Sequence, residues 1–301
     1  YPQATLQYRQ SSENMHENLG HLKTIYSSFD QYLPFLKSGI GLSLLYDYGK
    51  QRIYKFKTTK IHGMYAYPLR LKDKKDKKDK IVIIPALEIG FVYQNIDLSK
   101  LTYGAYTVVT TTNSVTMYIP KEYYYSSINY FDVSAGILIQ TKKFFCGFSF
   151  HHLNTPDRSI VKISKYKLSI NPGFHIGYTF KRNVTDKKEF SANPDFLIDN
   201  DRIILGNTFQ YGKFVLGLKY KTDEEIYTTD NVLIGIIGYK KENFKINYSY
   251  DFSVRNNKSL PDGFNYENTS THGGSHEISI AFIFKQEKHN GQQLFSRQFF
   301  W

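Results

Sequence analysis

Along much of the chain hydrophobic and polar residues alternate singly. In "HGGSHEISIAFIFKQ" (272–286), His276, Ile278, Ile280, Phe282 and Phe284 share one side, against Ser275, Glu277, Ser279 and Ala281. A period of two describes a strand with two chemically different faces. "SGIGLSLLYDYG" (38–49) sets Ile40, Leu42, Leu44, Tyr46 and Tyr48 against Gly39, Gly41, Ser43 and Asp47. "NFKINYSYDFSV" (243–254) sets Phe244, Ile246, Tyr248, Tyr250 and Phe252 against Lys245, Asn247, Ser249, Asp251 and Ser253. The same pattern runs through "KFFCGFSFHHL" (143–153) and "KLSINPGFHIGYTF" (167–180). In each strand the apolar set is bulky and aromatic, and the opposite set is small, polar or charged. Whether the apolar face meets a protein core or lipid is not decided by one strand.

Length and connection pattern decide it. Sandwich strands commonly run about 5 to 6 residues, whereas these alternations persist for the roughly 9 to 11 that a tilted membrane strand needs. Helical periodicity is weak throughout. The pattern predicts about fourteen strands, an even number as in closed outer-membrane barrels. Their spans are 3–11, 21–32, 38–49, 53–69, 80–95, 128–141, 143–153, 166–180, 189–198, 202–211, 213–222, 230–240, 243–254 and 274–285. Connections after even-numbered strands are mostly tight ("TKK", "YGK", "YKKEN"), while those after odd-numbered strands include 96–127, 154–165 and 255–273. Short turns at one end and long loops at the other are the asymmetry of outer-membrane barrels, with the termini at the short-turn, periplasmic end. The expectation is an all-β, single transmembrane antiparallel barrel over 1–285, followed by a periplasmic tail over 286–301. The apolar face is read as facing lipid.

Composition agrees with that reading. Aromatics make up 17% of the 301 residues, with 26 Tyr and 23 Phe against one Trp; such rings suit pleated strands and membrane–water interfaces. The longest apolar runs, "IVII" (81–84) and "VLIGIIG" (232–238), are far short of the ~20 residues of a spanning helix. The opening "YPQATLQYRQ" already reads as a strand and has no basic and apolar leader pattern, so a preceding N-terminal part is expected to have been removed or left out. Cys146 is the single cysteine, which excludes an internal disulfide framework. Lys and Arg exceed Asp and Glu by 39 to 27, a formal charge of +12. Much of the excess lies in hairpin ends such as "LKDKKDKKDK" (71–80) and "KRNVTDKK" (181–188), which read as solvated turns or contacts to anionic head groups. No basic stripe with interleaved aromatics is present, so nucleic acid is not an expected partner.

"GIGLSLLYD" (39–47), "LEIGFVYQNIDLSKLTYG" (87–104), "NYFDVSAGILIQTKKFFCGFSFHHLNTPD" (129–157), "INYSYDFSV" (246–254) and "GGSHEISIAFIF" (273–284) resemble the PorP/SprF family. These are outer-membrane proteins of the Bacteroidetes type IX secretion and gliding machinery. The similarity runs in order from near residue 4 to residue 284. The family's N-terminal Asn-Pro-Ala-Tyr-like segment is absent apart from Tyr1-Pro2, and "EKHNGQQLFSRQFFW" extends beyond the usual final strand. The resemblance implies a barrel that supports export or surface attachment of secreted proteins, gliding adhesins among them. The implied partners are the C-terminal domain of a secreted cargo, periplasmic machinery components and outer-membrane lipid. The competing class is a general or solute-specific porin.

The candidate residues follow from the faces. Asp47, Glu88, Asp132, Asp251 and Glu277, with His151, His175, Lys219 and Lys245, fall on the polar face. They read as a lumenal network of ion pairs and hydrogen bonds filling a wide barrel, in preference to an ion or substrate pathway. Asp251 and Glu277 sit on adjacent strands and need a cationic neighbour. His272 and His276 are four apart, which on a strand separates their backbones by about 13 Å, too far for one ion. His151 and His152, as consecutive strand residues, should point to opposite faces. Ser149 and His151 share a face, but no Gly-x-Ser-x-Gly occurs; neither an enzyme nor a cofactor is expected. The Thr- and Tyr-rich loop 96–127 either folds over the barrel mouth or docks cargo. Tyr118, Tyr123, Tyr124 and Tyr125 there, and Phe264 and Tyr266 in the loop near 256–271, are the cargo-contact candidates. Phe299, Phe300 and Trp301 are candidates for docking a periplasmic component if the tail is ordered.

Overall fold

The computed structural model describes residues 2–15, 18–50, 55–72, 79–97, 105–109, 114–118, 127–160, 165–185, 188–200, 202–224, 229–256 and 271–284. The strands are β1 (Gln3–Met15), β2 (Asn18–Leu33), β3 (Ser38–Lys50), β4 (Lys55–Ala66), β5 (Leu69–Lys72), β6 (Asp79–Asp97), β7 (Ala105–Val109), β8 (Ser114–Tyr118) and β9 (Ser127–Gln140). They continue as β10 (Phe144–His151), β11 (Asn171–Tyr178), β12 (Phe180–Thr185), β13 (Lys188–Asp199), β14 (Arg202–Tyr211) and β15 (Phe214–Glu224). The last three are β16 (Thr229–Lys240), β17 (Phe244–Asn256) and β18 (Thr271–Ile283).

Sixteen of these segments form one antiparallel sheet, in the order β11-β10-β9-β6-β4-β3-β2-β1-β18-β17-β16-β15-β14-β13-β12, with β5 on β6. The additional β11–β13 pairing closes it into a barrel. Two wall strands are each recorded as two segments because a proline interrupts the ladder. β4 and β5 hold one register along β6 (Ala66↔Ala86, then Leu69↔Ile83), broken at Tyr67-Pro68, where Pro68 has no N–H to donate. β11 and β12 hold one register along β13 (Gly177↔Asp195, then Phe180↔Ala192), broken opposite Pro194. Counting each as one wall strand leaves sixteen minus two, fourteen, the number the alternation predicts.

Short connections at Pro34–Lys37, Thr141–Lys143, Gly212–Lys213 and Lys241–Asn243 follow even-numbered wall strands, while those after β1 and β13 are equally short at the other end. Gly212 holds φ +57°, a left-handed turn position that glycine adopts without strain. The three longest connections, 98–126, 152–170 and 257–270, each follow an odd-numbered wall strand. Two expectations shift. The 96–127 segment contains its own two-stranded ladder, β7 on β8, where Val and Thr alternate. The eighth wall strand begins at Asn171 rather than 166, because Lys167 bridges to Asp157 and the Leu168 amide donates to the Pro156 carbonyl. The alternation at Leu168 and Ile170 therefore belongs to a small hairpin in the connector.

The distribution of polarity is inverted relative to a water-soluble core. Among the described residues six hydrophobic side chains are buried, against twelve polar or charged ones, including Thr5, Ser43, Thr58, Gln94, Ser134 and Ser275. The bulky set points outward: Leu42 is 57% exposed, Leu205 58%, Leu216 59% and Ile278 45%. This belt accounts for the opening strand, whose Ile278 and Phe282 face out while Ser275, Ser279 and Ala281 are buried. Rings cluster where the strands meet the tight turns, with Phe214–Tyr239 centroids 5.9 Å apart and Tyr239–Phe244 6.2 Å. An outward apolar band flanked by aromatic girdles is the pattern of a membrane barrel.

Candidate lumenal site

The inward faces bring the charged residues into three groups. In the first, Arg9 of β1 stands opposite Glu277 of β18, donates through Nη2 to Asp251 Oδ2 (2.8 Å) and through Nε to Ser275 Oγ (2.8 Å). Asp251 pairs in register with Ser275, so Asp251 and Glu277 are diagonal neighbours. The guanidinium is the cation this acidic pair requires; its fork reaches two strands at once. Arg9 escaped the sequence reading although "LQYRQ" carries the signal, since Leu6 and Tyr8 alternate with Gln7 and Arg9. Nearby, Thr24 Oγ1 donates to Asp47 Oδ1 at 2.6 Å.

The second group lies beside the 152–170 connector. His151 Nδ1 is 3.2 Å from Ser134 Oγ, and His152 Nδ1 lies 2.8 Å from Asp132 Oδ2. Ser134 and Asp132 are both on the inward face of β9, so the two histidines do not diverge as strand alternation would require. β10 ends at His151, and His152 takes φ +58°, which swings its ring back toward the lumen. The Leu153 amide then donates to the Val133 carbonyl, Asn154 Nδ2 donates to the Phe131 carbonyl, and the Val133 amide donates to Asn154 Oδ1. Arg158 Nε reaches Gln94 Oε1 at 3.4 Å. Further out, the Ser159 hydroxyl and amide donate to Asp157, which holds that carboxyl below the usual carboxylate range. Glu88 faces the same region from β6, opposite Met64. Gly90 admits the His62 ring, because a Cβ there would meet His62 Cδ2 at 2.0 Å.

The third group joins β11, β13 and β15. Lys219 Nζ donates to Asp195 Oδ2 at 2.8 Å, and His175 Nε2 lies 3.8 Å from the same oxygen. Lys245 of β17 stands directly opposite Lys240 of β16. The structure thus distributes Asp47, Glu88, Asp132, His151, His175, Lys245, Asp251 and Glu277 around the lumen in separate groups. Arg9, His62, His152, Arg158 and Asp195 were not foreseen among them. Among the described residues no group of three His, Cys, Asp or Glu is placed to hold a metal ion. The docking candidates cannot be placed in the same way. Tyr118 ends β8, but its side chain lies outside the described residues. Tyr123, Tyr124, Tyr125, Phe264, Tyr266, Phe299, Phe300 and Trp301 also lie outside them.

A closed antiparallel wall with an apolar outer belt and a polar lumen defines an outer-membrane β-barrel. The fold is shared with a solved barrel. The toluene transporter TbuX of Ralstonia pickettii is 10% identical, covering 94% of this chain and 89% of that one with a TM-score of 0.50. Omp33 of Acinetobacter baumannii is 8% identical, covering 94% and 98% with a TM-score of 0.44. No curated protein matches the chain. Residues 2–282 match the family described as type IX secretion system membrane protein PorP/SprF, and the chain belongs to it.

Proposed function

We propose that this barrel supports export or surface attachment of secreted proteins by binding a cargo's C-terminal domain or a component of the secretion machinery. Membership of a type IX secretion membrane family carries the reading. Side chains on the lumenal face tie the wall together: Arg9 bridges β1 to β17 and β18, Lys219 bridges β15 to β13, and His152 and Arg158 tie the connector to lumenal residues. Such a lumen suits a docking platform more than a conduit. The long connections face outside, where Tyr118, Tyr123, Tyr124, Tyr125, Phe264 and Tyr266 contact cargo, since buried aromatics most often dominate interface energetics. Both termini are periplasmic, and Phe299, Phe300 and Trp301 dock a machinery component.

Co-purification from detergent-solubilised membranes tests this. The intact chain should retain the C-terminal domain of a type IX secreted protein. Replacing Tyr118 and Tyr123 to Tyr125 with Ser should abolish retention while the barrel stays folded, and deleting Gln298 to Trp301 should instead release periplasmic components. Wild-type cargo retention by the Ser variant would remove the extracellular docking site. The second reading, a solute porin, draws on the strand number: fourteen lies between eight-stranded barrels, whose interiors side chains can fill, and the 16–18-stranded porins with aqueous channels.

A further inference from the structure

The outward face of β2, β3 and β4 changes chemistry row by row toward the long-connection end. One row is Ser27–Leu44–Ile61 and the next is Ile25–Tyr46–Thr59. Then come Lys23–Tyr48–Lys57 and, last, His21–Lys50–Lys55. These positions share the face of Leu42, Leu44 and Ile61, all exposed, and oppose that of Ser43 and Thr58, which are buried inside. The basic residues therefore stand immediately beyond the lipid-facing belt, beginning in the row of Tyr48. Lys23, Lys50 and Lys57 are exposed, and among the described residues none of them takes part in an ion pair.

Lys50 stands directly opposite Lys55, and Asp97 of β6 stands opposite Lys55 on its other side. The chain's own carboxylate therefore answers Lys55, while Lys23, Lys50 and Lys57 are left to an external anion. The basic sector lies on one side of the barrel. Outward positions toward this end elsewhere are Gln10 on β1, Asn95 and Asp97 on β6, Asn129 on β9, Ile203 on β14, Tyr220 on β15, Tyr250 on β17 and His276 on β18, none of them a lysine or arginine. General solubility would spread charge around the rim, whereas one basic sector with a ring at its centre has the form of a site. Lys23 and Lys57 flank Tyr48 from neighbouring strands, about 10 Å apart at the backbone for strands spaced ~4.8 Å. Flexible lysine stems can converge across that span on one phosphate, with the aliphatic parts lying on the belt.

We propose that Lys23, Lys50 and Lys57, with Tyr48 between them, bind the phosphorylated headgroup of a membrane lipid whose acyl chains lie on the apolar rows of β2–β4. The site stands on the lipid-facing surface and does not depend on the secretion reading; a barrel that bound no cargo would still carry it.

The test uses the intact barrel in detergent, with diphosphorylated lipid A and its dephosphorylated form as probes and native mass spectrometry as the readout. The triple variant Lys23→Gln/Lys50→Gln/Lys57→Gln is compared with a charge-matched control at the opposite end, Lys142→Gln/Lys213→Gln/Lys241→Gln. At about fivefold per lysine near a membrane surface, the first variant should lose roughly a hundredfold in retention of the phosphorylated lipid. The control should bind as wild type, and inorganic phosphate should not displace the lipid. Heat-modifiable gel migration confirms that each variant is folded. Equal retention by wild type and the triple variant, equal loss in the control, displacement by inorganic phosphate, or equal binding of the dephosphorylated lipid would each overturn the site.

Discussion

Replacing Arg9 with Met keeps most of the side chain's volume and removes its charge, leaving Asp251 and Glu277 as diagonal neighbours without their cation. Two carboxylates about 7 Å apart, the spacing of diagonal cross-strand neighbours, repel by roughly 0.6 kcal/mol at the dielectric of water and roughly 2.4 kcal/mol at an effective value of 20. The Arg9 side chain is 41% exposed and that of Asp251 13%, so the pair lies between those limits. Two hydrogen bonds from a charged donor are lost as well, and solvent screening of the exposed guanidinium reduces their worth. A destabilisation of about 2 kcal/mol is expected. Urea unfolding in lipid vesicles, followed by heat-modifiable mobility, measures it. The double variant Arg9→Met/Asp251→Asn should recover more than half of the loss, because the repulsion disappears with one carboxylate. Unchanged stability in Arg9→Met, or additive losses in the double variant, would show that the guanidinium does not hold these carboxylates together.

Leu42→Lys places a charge on the outward belt and should cost about 2–4 kcal/mol in bilayers; unchanged bilayer stability would mean that this face does not meet lipid. Asp132→Asn removes the carboxylate beside His152 and should weaken the connector locally by about 1–2 kcal/mol, seen as faster amide exchange from Leu153 to Arg158 with the wall strands unaffected. Ser159→Ala should raise the Asp157 carboxyl toward the ordinary range, read from its carbon chemical shift through an acid titration. The Asp157 value is depressed in the folded chain, so its contribution to connector stability is present above the ordinary carboxylate range. It is lost as pH falls through the depressed value.

The barrel was legible in the sequence because membrane strands write both faces in every residue pair. In β3 the outward Ile40, Leu42 and Leu44 and the inward Ser43 fix the wall without reference to any other strand. Strand ends were less legible. Alternation ran through Leu168 and Ile170 although those residues belong to a connector hairpin, and it gave no warning that His152 would leave the strand at positive φ. The lumenal groups were half legible for a related reason. Alternation assigns a residue to a face, but partnership depends on register around the ring. Arg9 meets Asp251 only because the first strand closes onto the last, across 242 residues of chain. Lys219 reaches Asp195 across the intervening β14.

On the proposed function, this secretion-family barrel works as a binding platform whose lumen its own side chains occlude. Conductance of the purified chain in planar bilayers tests it most directly. The wild type should give no steady large channels, with openings appearing when Arg9→Met and Asp132→Asn are combined to loosen the network. Steady, large, voltage-independent conductance from the wild type would contradict it and place the protein among the solute porins.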